Sequence, residues 1–252
     1  MFMHVTILGA GTAIPGRDYS PAGIYVRLAR EHVLLDAGPG TLQRLHAAGA
    51  PFQALDRIFL THFHLDHCLD LASILFALRL PDLKRRKPLT VYGPPGLVRL
   101  YRRLNTAFHG WLSPRGFKVR FVEVQDAMLR LTGYTVRSIR MHHGPTRAVG
   151  YRLTAGGRSL AYSGDTDTCR CVAELGRKAE VLVLECSVTD ERKVKGHLTP
   201  SDCGWIAAEA GCRRLVLTHF YPVFAGYDIR KRVRRHFRGP LTLARDFTAF
   251  RV

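Results

Sequence analysis

The chain is short of acid: 20 Asp and Glu stand against 38 Lys and Arg, a net charge of +18 over 252 residues. The resulting field attracts anions and suits an acidic substrate, RNA among the options. Long apolar runs are missing, because Arg, Asp, His or Gly interrupts every stretch before it nears ~18 residues, and this excludes a membrane-spanning helix. The opening residues 1–15 have no positive run ahead of an apolar core, so no signal peptide is expected. No Pro-, Gly- or Ser-rich linker divides the sequence, and residues 1–252 are expected to form one domain; 46% hydrophobic composition suffices for its core. The six cysteines (68, 169, 171, 186, 203 and 212) include no CxxC pair, which excludes a zinc ribbon. They read as reduced thiols of a cytoplasmic protein, and Cys169 with Cys171 would leave a tetrahedral site half filled. The glycine-rich turn Gly9-Ala10-Gly11 lacks the third glycine of a dinucleotide-binding loop, since Pro15 and Gly16 stand where the helix would begin.

What is present alternates strands and helices. Strands are expected at 5–8, 22–28 and 32–36, the last two joined as a hairpin by Ala29-Arg30-Glu31, and again at 57–60, 89–92, 118–124, 135–141, 150–153, 160–163, 181–185 and 214–217. Helices are expected near 41–48, 69–80, 97–104, 168–175 and 201–210. The pattern predicts an α/β protein of stacked sheets with helices outside. Arg57-Ile-Phe-Leu-Thr-His-Phe63 is echoed by Arg214-Leu-Val-Leu-Thr-His-Phe220, which suggests two similar halves with both histidines at one edge of the sheets.

The chemistry concentrates in Thr61-His62-Phe63-His64-Leu65-Asp66-His67, directly after an apolar strand. Side chains alternate along extended chain, so His62 and His64 project to one side and suit one metal. Asp66 and His67 fall at the start of the next helix and suit a second. Strand ends supply the remaining candidates: His142 or His143, Asp165 and His219. His143 is preferred over His142, because the alternation of Ile139 and Met141 carries on to it. Catalytic zinc keeps about three protein ligands plus water. On that count His62, His64 and His143 fill one site, Asp66, His67 and His219 the other, and Asp165 can bridge them.

These residues resemble the HxHxDH motif of the metallo-β-lactamase superfamily at His62, His64, Asp66 and His67. Leu8-Gly-Ala-Gly-Thr12, Leu35-Asp-Ala-Gly-Pro-Gly-Thr41, Tyr92-Gly-Pro94, Gly150-Tyr-Arg152 and Gly164-Asp-Thr166 look most like its ribonuclease Z branch. The resemblance implies a four-layer αββα sandwich, with Asp36 a buried carboxylate bracing the metal loop. It implies catalytic roles for Asp66 and for His197, the latter beside the scissile phosphate and paired with Glu185. The long tRNA-gripping arm of that branch is missing, because only residues 153–163 separate Gly-Tyr-Arg from Gly-Asp-Thr. An RNA grip would then fall to Lys84-Arg-Arg-Lys87 or to the basic stretch Arg230–Arg238.

The expected cofactors are two Zn2+, with Mn2+ or iron fitting similar donors. The expected reaction is binuclear, metal-dependent hydrolysis of a phosphodiester, either tRNA 3′-processing or cleavage of smaller phosphodiesters. The rivals are hydrolysis of a carboxylic ester, lactone or β-lactam, and a metal-stabilised nucleic-acid-binding protein without catalysis. A homodimer is the expected assembly, though no residue pattern derives it.

Overall fold

Strands with two apolar faces need cover on both sides, and that requirement sets the layering. In β1 (Met3–Gly9), Val5 and Ile7 enter one core cluster while Leu8 enters another. The same division recurs in β2 (Gly23–Leu28) and β3 (Glu31–Leu35), where Val26, Val33 and Leu35 face one way and Tyr25 and Leu34 the other. These strands continue through β4 (Arg57–Phe59), β5 (Leu89–Gly93) and β6 (Val119–Glu123) into a seven-stranded sheet. It is antiparallel up to β3 and parallel from β3 to β6.

The second sheet runs through β7 (Met128–Leu131), β8 (Tyr134–His143), β9 (Thr146–Ala155), β10 (Arg158–Tyr162), β11 (Val181–Glu185), β12 (Arg214–Thr218) and β13 (Leu241–Leu243). It too is antiparallel first and parallel from β10 onward. The last strand, β14 (Ala249–Arg251), returns to pair with β1. This computed structural model describes residues 2–14, 16–28 and 30–252. Met1, Pro15 of the opening loop and Ala29 of the expected hairpin link lie outside the described residues.

Val5, Tyr151, Val183 and Val216 meet in the core between the sheets. Outside the first sheet lie α1 (Thr41–Ala47), α3 (Asp70–Leu78) and α4 (Leu97–Ala107), which bury Leu45, Ile74 and Leu97. The four-residue α2 (Leu65–Cys68) precedes α3 and carries the second half of the histidine motif. Outside the second sheet, α5 (Arg170–Gly176), α6 (Pro200–Ala210) and α7 (Ile229–Val233) cover Leu182, Leu184, Leu215 and Leu217. The result is the four-layer αββα sandwich expected. The start of α6 is written locally: Thr199 accepts from the Asp202 amide, Asp202 answers at the Thr199 amide, and Pro200 occupies the first turn.

The two halves are alike in order, but the sequence echo does not mark equivalent strands. β4 neighbours the last antiparallel strand of its sheet, whereas β12 stands one strand farther out. Both still deliver a buried histidine to the same centre. Where a tRNA-gripping arm would lie, β9 and β10 are joined by the tight turn Gly156-Gly157, and both glycines have positive φ.

One expectation needs correction. Cys169 and Cys171 are not free thiols but form a disulfide: Cys169 is extended ahead of α5 and Cys171 lies in its first turn, which sets their Cα atoms 5.2 Å apart. The other four cysteines are free and buried. The basic runs are partly engaged within the fold, while Lys84, Arg86, Lys231, Arg235 and Arg238 are exposed. Arg85 is buried and donates to the carbonyls of Gln53, Leu55 and Pro88, and Lys87 pairs with Asp56. Arg232 pairs with Glu191, while Arg230 and Arg234 donate to the carbonyls of Leu241 and Gly239. Among the described residues no helix is long and apolar enough to cross a membrane.

Candidate metal centre

The strand ends of both sheets meet at one edge, and seven side chains converge there. His62 and His64 leave the end of β4 on the same side, with His62 Nε2 3.0 Å from His64 Nδ1. His143, the last residue of β8, sets its Nε2 3.1 Å from the same His64 nitrogen. His143 keeps the register of the buried Ile139 and Met141, whereas His142 keeps that of the exposed Arg140 and points away. A second group forms beside the first, where His67 Nε2 lies 3.1 Å from His219 Nε2 and Asp66 Oδ2 lies 3.4 Å from the latter. Asp165 spans both. Its Oδ1 is 3.2 Å from His67 and 3.5 Å from His219, and its Oδ2 is 3.8 Å from His62 and 3.7 Å from His143.

The outer nitrogens of these rings decide what the inner ones present. Asp36 is fully buried and accepts four hydrogen bonds: from the Thr61 amide (2.7 Å), the Thr61 hydroxyl (2.9 Å), His67 Nδ1 (2.8 Å) and the Tyr162 hydroxyl (2.8 Å). With its proton spent on Asp36, the Thr61 hydroxyl can only accept from His62 Nδ1, 3.0 Å away. The Ser187 hydroxyl donates to Glu185 in the same way and accepts from His219 Nδ1 at 2.9 Å. His143 Nδ1 donates to the Gly196 carbonyl at 2.7 Å. A neutral imidazole that donates through Nδ1 carries a lone pair at Nε2. His62, His67, His143 and His219 therefore all aim lone pairs at one another and at Asp165, whose buried Oδ1 has no hydrogen-bond partner. A crowd of acceptors without a donor is satisfied by a cation, and imidazole with carboxylate is a donor set for a divalent one.

The electrostatics agree. Burial, with the neighbouring His67, holds His62 well below the ordinary imidazole range, and burial also lowers His64, so both stay neutral and able to ligate. Burial would raise Asp165, but His219 and His67 overcome it and hold the carboxylate ionised. Burial likewise opposes ionisation of Asp66, yet the hydrogen bond to His219 brings it down to about 2. At His67 burial is outweighed by Asp165 and Asp36, which raise it well above its usual value: without a cation, this site recruits a proton instead.

Residues 31–220 match the family model of the beta-lactamase superfamily domain. The chain belongs to the metallo-β-lactamase superfamily. Within it, the chain is 28% identical to a ribonuclease Z of Methanosarcina mazei over 86% of its own length and 87% of that protein's. The crystal structure of the short form of human tRNase Z superposes with a TM-score of 0.78 at 25% identity, covering 98% of each chain. The metallo-β-lactamase fold protein YhfI of Bacillus subtilis superposes with a TM-score of 0.85 at 23% identity, covering 100% of this chain and 99% of that one. These likenesses make the chain a ribonuclease Z-like metal-dependent hydrolase of this superfamily.

Two further residues on which the resemblance puts catalytic roles stand at the rim. His197 Nδ1 is 3.0 Å from Glu185 Oε1 and 4.0 Å from Asp165 Oδ2. Glu185 is buried and fully used, accepting also from the amides of Thr166 and Leu198. Burial would lower His197, but its hydrogen bond to Glu185 raises it to about 9, which keeps it protonated at neutral pH. The Tyr221 ring packs edge-on against both His197 and His219, at 6.1 and 6.0 Å.

Several working parts were not singled out from the sequence. Thr61 and Ser187 fix the tautomers of His62 and His219, and Tyr162 helps hold Asp36. Ser187 was findable, since it lies two residues beyond Glu185 on extended chain and so on the same side. Asp36 and His219 adopt φ values of 59° and 61°, the left-handed region that side chains seldom enter. Such conformations cost about 1–3 kcal/mol and persist where the surroundings over-determine them. The Asp165 loop passes so close that a Cβ on Gly164 would lie 2.6 Å from Thr61 Cβ.

Proposed function

We propose that this protein is a binuclear, zinc-dependent phosphodiesterase of the ribonuclease Z type. His62, His64 and His143 would hold one ion, Asp66, His67 and His219 the other, and Asp165 would bridge them. The paired cations would supply Lewis acidity, lowering the pKa of water toward neutrality and offsetting phosphate charge. The remaining work falls to the chain itself. Asp36, Ser187 and Gly196 hold the imidazoles in the ligating tautomer. Asp66, kept ionised, is placed to orient the attacking water, and protonated His197 to stabilise or protonate the departing oxygen, with Glu185 steadying the ring.

The observation that carries this reading is the charged His197–Glu185 pair at the rim of the acceptor cluster. A protonated imidazole beside a cation-seeking site suits a substrate that is itself an anion. RNA fits that description and the charge of +18, and the short β9–β10 turn favours either RNA gripped by other surfaces or a smaller phosphodiester. No feature of the site favours the carboxylic ester, lactone or β-lactam reading. The test is parallel turnover of precursor tRNA, linear and cyclic phosphodiesters, a lactone and nitrocefin by zinc-loaded protein, with Asp165→Ala as control. Cleavage of a phosphodiester, lost in the variant, supports the proposal; cleavage of only the lactone or nitrocefin overturns it.

A further inference from the structure

His142, unused by the metal cluster, opens onto a broad surface trough. This trough, of about 720 Å³, is lined by Pro95, Gln125, Arg140, His142, Arg147 and Lys195 among others. It begins at the centre itself: Gly144 and Thr146 form its near end, and the Thr146 hydroxyl lies 3.3 Å from His64 Nε2. The cations come from both walls. Arg147 faces His142 across the β8–β9 pair, and Lys195 comes from the loop whose next residue, Gly196, holds His143.

These cations are set apart by lining the trough that starts at the centre. Among the described residues neither the Arg147 nor the Lys195 side chain makes an ion pair or hydrogen bond, nor does the His142 ring. Arg140 has only a loose, exposed contact to Asp126 at 4.0 Å. The acid of the trough is already neutralised, because Asp167 is taken by Lys193 at 2.8 Å and by the Gly196 amide at 2.8 Å. A groove with unpaired cations, leading from the proposed phosphodiesterase centre, is shaped for more of the same anion.

We infer that the trough formed by Arg140, His142, Arg147 and Lys195 binds a second phosphate of the substrate, so that the favoured substrate is a nucleotide chain with at least two phosphates rather than an isolated diester. The inference rests on the phosphodiesterase reading and names its substrate class. It assigns the RNA grip to a surface beside the site rather than to the two basic runs, of which Arg85, Lys87, Arg230, Arg232 and Arg234 are engaged within the fold.

The test compares wild type, the double variant Arg147→Ala/Lys195→Ala, and Arg213→Gln. Arg213 is exposed at the opposite end of β12 from His219, so its substitution removes a positive charge away from the trough. Two substrates are followed: bis(p-nitrophenyl) phosphate, with one phosphate, and a 12-nucleotide single-stranded RNA. The ratio of kcat/KM for RNA to that for the small diester should fall about tenfold in the double variant, chiefly through KM, as expected for losing charged hydrogen bonds, and hold in Arg213→Gln. Binding of a hydrolysis-resistant phosphorothioate 12-mer gives a readout free of catalysis. Its log–log salt slope should flatten by about 0.7 per phosphate contact removed. An unchanged ratio and slope in the double variant, or an equal fall in Arg213→Gln, overturns the inference. If no phosphodiester is cleaved by wild type, the underlying reading fails, and the binding slope still decides whether the trough holds phosphates.

Discussion

The Ser187 hydroxyl lies 2.9 Å from His219 Nδ1 and donates its own proton to Glu185. One hydroxyl thus links a candidate metal ligand to the carboxylate that charges His197. Ser187→Ala removes the acceptor for His219 Nδ1 and frees the ring to take the other tautomer. Groups that orient ligands in this way are worth about 10- to 100-fold in metal affinity. Competition with a chromogenic chelator should show that loss for zinc, with circular dichroism unchanged; equal affinity in the variant would rule out the link.

Asp36 is a buried charge that accepts four hydrogen bonds. Asn at this position would turn N–H groups toward donors and leave His67 without its anionic partner. Breaking a buried ionic cluster from one side costs about 3–5 kcal/mol. Asp36→Asn should therefore lower the urea midpoint substantially and reduce metal content after purification. A variant of wild-type stability and metal content would show that Asp36 merely fills a turn.

The His197 pKa of about 9 fixes the sign of the pH profile. The folded value lies above the ordinary one of about 6.5, so the stabilising ion pair with Glu185 is complete below 6.5 and is lost as pH rises through 9. Hydrolysis that depends on protonated His197 should decline on that same alkaline limb. His197→Ala should lower kcat by about 10²–10⁴ and abolish the limb. An alkaline limb that persists in the variant would assign the proton elsewhere.

A cation that enters beside His67 must displace the proton which Asp165 and Asp36 hold there. Zinc titration of chelator-stripped protein should release protons, seen as a calorimetric heat that varies with the ionisation enthalpy of the buffer. The bound ion should also raise the stability, by about 2.7 kcal/mol at 100 times Kd. Heat independent of buffer, with no rise in Tm, would argue against the ligand set.

The path from sequence to site was open in some places and closed in others. His62 and His64 were placed together by the two-residue alternation of an extended segment, and Asp66 with His67 by the helix that starts at Leu65. The choice of His143 over His142 followed from the register of Ile139 and Met141, and all three side chains are buried along β8. The fate of the basic runs was closed to sequence, because nothing local says that Arg85 is buried against the carbonyls of Gln53 and Leu55, some 30 residues away. The Cys169–Cys171 disulfide depended on how the chain enters α5.

By itself the sequence determined which donors exist and which strand ends carry them, since period-two alternation, helix starts and apolar runs act over a few residues. Only the tertiary structure decided that Asp165 faces both groups at once, that Asp36 and Ser187 set the tautomers, and that Arg147 and Lys195 stay unpaired beside the site. Those are relations between side chains as far as 126 residues apart in the chain. They arise when two sheets close on a shared core, and no local pattern carries them.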